Sequence, residues 1–172
     1  AGALVAGLGT ALESIRVIDM VGEGVEEADS ITAAILAEKP NVLAIGLQFG
    51  TFSVLRAAYP AIKAVLSSDV LIVFGGALAT YESELILKEV DGDAVAVEGE
   101  GDHAFPMLVR QWLRGEGYND VPNCHWLEDG VRRSSARTLA QLTELPPPYR
   151  EHVPALAAKG ALLARLPRWL GG

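Results

Sequence analysis

The sequence predicts an α/β fold: a parallel sheet with helices on both faces, followed by a C-terminal β-hairpin and a proline-rich linker. Three observations lead there. Short β-branched runs alternate with longer stretches of helical periodicity, the pattern of successive βαβ units. The apolar runs at 42–47 and 70–74 are continuous, as in strands buried on both faces. Half of the 172 residues are hydrophobic but only 6% are aromatic, so the core must rest on Val, Leu, Ile and Ala. The arrangement is flavodoxin-like (Rossmann-like), in a chain long enough for one domain with a small appendage.

Each element has a local reason. A helix is expected over residues 4–13 and a strand over 15–21 (IRVIDMV), closed by Gly22-Glu23-Gly24. The first segment is not read as a strand, because a parallel crossover needs about a dozen residues. The usual opening strand of such a sheet is then expected to be absent. Asp29 or Ser30 caps a helix running to about Glu38, with Ile31, Ala34 and Ile35 on one face. Pro40 ends it by pushing Lys39 out of the helical region. Residues 42–47 form a strand, and 52–66 a helix with Leu55, Ala58, Ile62 and Val65 inward and Pro60 inside it. A strand at 70–74 stops at Gly75-Gly76, and a short helix at 81–90 buries Leu85 and Ile86. A strand at 93–97 precedes a helix at 104–114, where Phe105, Leu108, Val109 and Trp112 are in step and Pro106 suits the first turn. Asp129-Gly130 supplies the positive φ values of a tight hairpin turn between 123–127 and 131–134. Three prolines at 146–148 mark an extended connector, and 155–170 has helical character. The division expected is 1–117 for the α/β domain, 118–150 for the hairpin and linker, and 151–172 for a helical tail.

Composition excludes several classes. The net charge is −8 with no basic tract, so phosphate backbones and anionic lipid are repelled. Neither nucleic acid nor a membrane surface is an expected partner. No apolar run reaches the length of a membrane span, and no charged segment precedes an apolar one as in a secretory signal. The lone Cys124 forms no internal disulfide and cannot hold an iron–sulfur cluster. A cytoplasmic location is expected.

In an open parallel sheet, ligands bind beyond the carboxyl ends of the strands. Three loops qualify. Gln48-Phe49-Gly50-Thr51-Phe52-Ser53 places hydroxyls at a helix start, where they can meet a polar ligand edge or simply cap the helix. Gly75-Gly76-Ala77-Leu78-Ala79-Thr80 is nearly bare of large side chains; a turn needs one glycine, and a loop small throughout favours a group lying on the backbone. Glu98-Gly99-Glu100-Gly101-Asp102-His103 sets glycines between carboxylates, as a path beside a ligand or as a solvated cap for the next helix. Gly7-Leu8-Gly9 begins like a dinucleotide fingerprint but has Leu12 at the sixth position and no strand before it. His103 is read as a surface residue at a helix start, Cys124 as a half-buried hairpin residue, and Trp112, Trp126 and Trp169 as packing residues.

These pieces, in order, resemble the cobalamin (B12)-binding domain of the B12-dependent radical S-adenosylmethionine (SAM) enzyme family. Lys39-Pro40-Asn41-Val42 matches the family's entry into a strand, Ile62-Lys63 its helix pair, and Val70 to Gly76 (VLIVFGG) its Val-rich strand ending in two glycines. Glu84 to Leu87 resembles its short helix, Asp93 to Gly101 its Asp-x-Val and Gly-Glu-Gly element slightly displaced, and Leu142 to Tyr149 (LTELPPPY) its linker. The resemblance implies a corrin on the carboxyl edge of the sheet, with its nucleotide tail beside Gly75, Gly76 and Ala77. Gln48, Phe49, Thr51, Phe52, Ser53, Glu98, Gly99, Glu100 and Gly101 would hold the corrin amides and the tail. The histidine motif Asp-x-His-x-x-Gly is absent, which suits the radical SAM branch. The cluster-binding Cys-x-x-x-Cys-x-x-Cys motif is also absent after the linker, so the 4Fe-4S cluster and SAM belong to a catalytic half outside this chain. The resemblance thus implies the cobalamin-binding module of a radical SAM enzyme, a methyltransferase, paired with its catalytic domain in a longer chain or a partner. No residue here need be an acid or base. A ligand-free scaffold or interaction domain, and a small nucleotide- or flavin-binding protein, share the fold and stay open as alternatives.

Overall fold

The computed structural model describes residue 8, residues 13–18 and residues 27–139. Leu8 is helical, and residues 13–18 have no regular structure, against the strand expected from residue 15. The rest of the predicted opening helix and strand, the proline-rich linker and the helical tail lie outside the described residues.

Among residues 27–139 nine elements follow in order: α1 (Ala28–Glu38), β1 (Val42–Gly46), α2 (Phe52–Val65), β2 (Leu71–Gly75), α3 (Gly76–Glu89), β3 (Val95–Val97), α4 (Gly101–Leu113), β4 (Cys124–Glu128) and β5 (Val131–Ser134). The five strands form one sheet in the order β1-β2-β3-β4-β5. β1, β2 and β3 are parallel, with Val42 opposite Leu71 and Gly46 opposite Gly75. The hairpin continues this sheet, because β4 pairs antiparallel with β3 and places His125 opposite Ala96. Asp129 (φ 52°) and Gly130 (φ 73°) turn it, as the sequence requires.

Side chains alternate across a strand, so each strand feeds two cores. On one face Ile72, Phe74, Ala94 and Ala96 pack against Leu55 and Tyr59 of α2 and against Leu78, Ile86, Leu87 and Val90. On the other, Leu71, Val73, Val95 and Val97 pack against Ala104, Leu108 and Val109 of α4, together with Val121 and Cys124. Helix α1 packs on α2 through Ile35, Ala58 and Ile62. The sheet therefore carries helices on both faces.

Four expectations change. The loop anticipated at 75–80 is helical, since α3 starts directly at Gly76. Its regular geometry breaks at Glu82 (φ −128°, ψ 35°), next to the helix start expected from the sequence. That break alters the phase of the second half, and Leu85, expected inward, is exposed. Val65 is exposed as well, because the buried face of α2 runs through Leu55, Tyr59 and Ile62 to Leu66, which packs on the core in its place. Helix α4 begins at Gly101, so Pro106 lies inside the helix rather than in its first turn.

Candidate functional site

The three parallel strands end at one edge, and α2, α3 and α4 all begin there. None of these three helices has a side-chain cap hydrogen bond at its N-terminus. First-turn N–H groups lack partners within their own helix, so this edge favours hydrogen-bond acceptors and anions.

Beside these helix starts lies a groove of about 200 Å³. Ala44, Ile45 and Gly46 of β1, Val73 and Gly75 of β2, and Val97 of β3 line it, with Gly76, Gly99, Gly101 and Phe105 completing the wall. It opens because α4 covers β2 and β3 on that face, while Ala44 and Gly46 of β1 stay exposed.

The glycines have different reasons to be there. Gly76 sits at φ +87°, and a Cβ would lie 2.6 Å from the Leu47 carbonyl oxygen. That position demands glycine for the chain's own sake, because α3 starts tight against β1. The Leu47 N–H donates to the Gly75 carbonyl (2.8 Å), and the Leu78 N–H donates to the Leu47 carbonyl (3.1 Å). Gly75 (φ −137°, ψ −172°) is ordinary extended backbone, and its Cβ would meet nothing within 4 Å. Gly46 likewise has open space where a side chain would stand. Neither backbone strain nor internal packing explains Gly46 and Gly75. Together they leave a flat apolar floor that is open at the strand ends.

The first loop is closed on itself. The Thr51 hydroxyl donates to the Gln48 carbonyl (2.8 Å) and accepts from the Gln48 N–H (3.1 Å). Thr51 therefore shapes the loop rather than capping α2, and Ser53 is exposed in the first turn of that helix with Phe52 partly buried. Phe49 is exposed and its ring stacks on exposed Tyr81, centroids 6.0 Å apart and planes at 25°. Tyr81 is inconspicuous in the sequence, where it reads as the first residue of a helix. Ala77 is partly buried in the first turn of α3.

In the acidic loop, the Gly99 N–H donates to Thr80 Oγ1 (2.9 Å), and that hydroxyl donates to the Gly76 carbonyl (3.0 Å). Glu98 is engaged with two partners: Oε2 lies 3.0 Å from His125 Nε2, and Oε1 lies 2.9 Å from Arg137 Nε. Glu100 and His103 are exposed on either side of Gly101. His125 is buried, and its Nδ1 has no hydrogen-bond partner. No sequence signal marks His125; the antiparallel register of β4 on β3 creates its contact. Cys124 is fully buried rather than half-buried, and burial pushes its thiol up to about 12. Among the described residues no group of three or more His, Cys, Asp or Glu could hold a metal ion. No helix among them is long and apolar enough to cross a membrane.

Comparison with known proteins gives a consistent result. The chain is 28% identical over 144 residues to the uncharacterized methyltransferase PH0819 of Pyrococcus horikoshii, covering 81% of this chain and 30% of that protein. Its fold is similar to the cobalamin-dependent S-adenosylmethionine radical enzyme OxsB, solved with aqua-cobalamin and S-adenosylmethionine bound: TM-score 0.72, 18% identity, 92% of this chain and 22% of the other. It is also similar to the radical S-adenosylmethionine methyltransferase TsrM of Kitasatospora setae, solved with cobalamin and a 4Fe-4S cluster: TM-score 0.62, 14% identity, 88% of this chain and 28% of the other. The chain thus spans less than a third of each of these relatives. The profile of the B12 binding domain matches residues 3–109, well over half of the sequence, and the chain belongs to that family.

Proposed function

We propose that this chain is the cobalamin-binding module of a radical SAM methyltransferase and holds the corrin at the carboxyl edge of β1, β2 and β3. The observation that carries this reading is the open floor at Gly46 and Gly75, glycines that the chain's own packing does not require. The family match and the folds of OxsB and TsrM support the choice of ligand.

In this reading each residue set has a separate task. The groove between β1, β2 and Phe105 excludes water from an apolar part of the ligand. Uncapped N–H groups at the starts of α2, α3 and α4, other than that of Leu78, donate to its amide and phosphate oxygens. The stacked rings of Phe49 and Tyr81 offer an aromatic face beside the same edge. Gly99, fixed by Thr80, presents the acidic loop to the groove as bare backbone. The bound cofactor supplies methyl-group chemistry through its cobalt, and the protein's own residues bind and orient it. The 4Fe-4S cluster and SAM would reside in a catalytic domain beyond this chain.

The test is retention of hydroxocobalamin after desalting, read by its visible spectrum. A folded protein that keeps the corrin, and loses it on Gly75→Val with the fold intact, supports the reading. A folded protein that keeps none moves the ligand-free scaffold ahead.

A further inference from the structure

Glu98 lies in the acidic loop, where the sequence alone marks it as a ligand contact. The structure commits both of its carboxylate oxygens elsewhere, one to buried His125 and one to Arg137. These partners come from different places. His125 is in β4, inside the sheet, while Arg137 is in the segment that leaves β5. That segment is itself strapped back onto the start of β4. Asn123 donates through Nδ2 to the Thr138 carbonyl (2.8 Å) and accepts the Thr138 N–H at Oδ1 (2.7 Å). Its own N–H donates to the Ala136 carbonyl (3.0 Å), and the Ser135 N–H donates to the Cys124 carbonyl (2.9 Å). The Asn123 carbonyl accepts the Glu98 N–H (2.8 Å). One residue further, Gly99 is tied through Thr80 to Gly76 in the wall of the groove.

We infer that Glu98 is a positioning residue: with His125 and Arg137 it forms a latch joining the departing segment 135–139 to the glycine loop of the groove. The segment that leads toward the linker is thereby held against the ligand edge, so the order of the loop and the order of the exit rise and fall together. The tautomer with hydrogen on Nε2 lets His125 donate to Glu98 and leaves Nδ1 as a lone pair. An unpartnered lone pair is the less costly orphan in a buried site. The ligand part of this inference rests on the cobalamin reading; the latch itself does not.

Two measurements on the unliganded and liganded chain separate the possibilities: hydroxocobalamin affinity, and amide hydrogen exchange at Gly99 and Thr138. We expect Glu98→Gln to weaken affinity about tenfold, the scale of one hydrogen bond to a charged group. Arg137→Ala and His125→Leu should each reproduce part of that loss, although neither residue lines the groove. Arg137→Lys should restore most of it, and Glu98→Gln with Arg137→Ala should be little worse than Glu98→Gln alone, as for residues acting as a unit. Exchange at Gly99 and Thr138 should quicken in the unliganded Glu98→Gln and Arg137→Ala proteins. Arg137 is largely exposed, so its removal does not threaten the core. If Glu98→Gln abolishes binding while Arg137→Ala and His125→Leu bind as the parent does, Glu98 touches the ligand and the inference falls. Unchanged exchange in both variants also overturns it. A parent chain that retains no cobalamin defeats the ligand reading alone, and the exchange rates then decide the latch.

Discussion

Substituting Gly75 and Gly76 separately should divide ligand binding from folding. At Gly76 any side chain meets two obstacles. The backbone sits at φ +87°, which costs a non-glycine residue about 1–3 kcal/mol. The new Cβ also lies 2.6 Å from the Leu47 carbonyl oxygen, closer than real contacts allow. Relief requires moving α3 away from β1, which strains the Leu78 N–H to Leu47 carbonyl bond at 3.1 Å. A bond of this kind contributes about 0.5–1.5 kcal/mol. Together these terms give about 2–4 kcal/mol for Gly76→Ala, and a melting point lower by about 10 °C. At Gly75 neither obstacle exists, since the backbone is extended and no atom lies within 4 Å of where a Cβ would stand. Gly75→Val therefore leaves stability within about 1 kcal/mol of the parent, β-branching suiting a strand end. The same valine projects into the groove and should abolish corrin retention. Thermal melts and desalting with hydroxocobalamin read both effects on the same samples. A Gly75→Val protein that folds and binds cobalamin as the parent does would refute the argument that this floor carries the ligand.

Other expectations follow from burial and charge. Phe74 is fully buried at the centre of one core, so Phe74→Ala should cost about 3–5 kcal/mol in urea denaturation. Burial raises the Cys124 thiol from 9.0 to about 12, and burial with Asp93 and Asp91 raises Tyr59 from 10.0 to about 12. Both groups ionise earlier in the unfolded chain, so stability is full below about pH 9 and falls as pH rises towards 12, by up to about 1.4 kcal/mol per pH unit for each group. Denaturation at pH 8, 9 and 10 should show this, and Cys124→Ala should remove the part that begins near pH 9. Asn123 stands at φ 61° and holds Thr138 by two hydrogen bonds. Asn123→Gly keeps the backbone and loses these two side-chain bonds, so it should speed exchange at Thr138 while sparing the core; slowed or unchanged exchange would show that the strap does not depend on the Asn123 side chain.

Much of the scaffold is legible in the sequence because its signals are local. Lys39-Pro40 ends α1, with Lys39 at φ 45°, and the apolar runs at β1 and β2 lie where continuous hydrophobicity places them. Asp129-Gly130 makes the hairpin turn readable from two residues. The errors arise where local signals compete. Gly75-Gly76 reads as a break, yet the second glycine is what lets α3 start without a loop. Leu85 satisfies a helical period that begins at residue 81, but the break at Glu82 turns it outward.

The candidate site shows the same division more sharply. Glycines and hydroxyls at the strand ends are visible as a class, but their individual reasons are not, because a glycine code letter is silent on what surrounds the missing Cβ. Gly76 answers to Leu47 and Gly99 to a positive φ, whereas Gly75 and Gly46 answer to nothing in their own chain. Gly46 is inconspicuous in the sequence because it continues an apolar strand and looks like part of it. The Glu98–His125 contact spans 27 residues and exists only once β4 pairs with β3, so no spacing rule in the sequence reveals it. What the fold adds is therefore the sorting of like residues into those that serve the backbone and those left facing open space. Of that second set, Gly46 and Gly75 stand opposite one another at the carboxyl ends of β1 and β2, and that juxtaposition is what makes the proposed corrin site testable by substitution at Gly75.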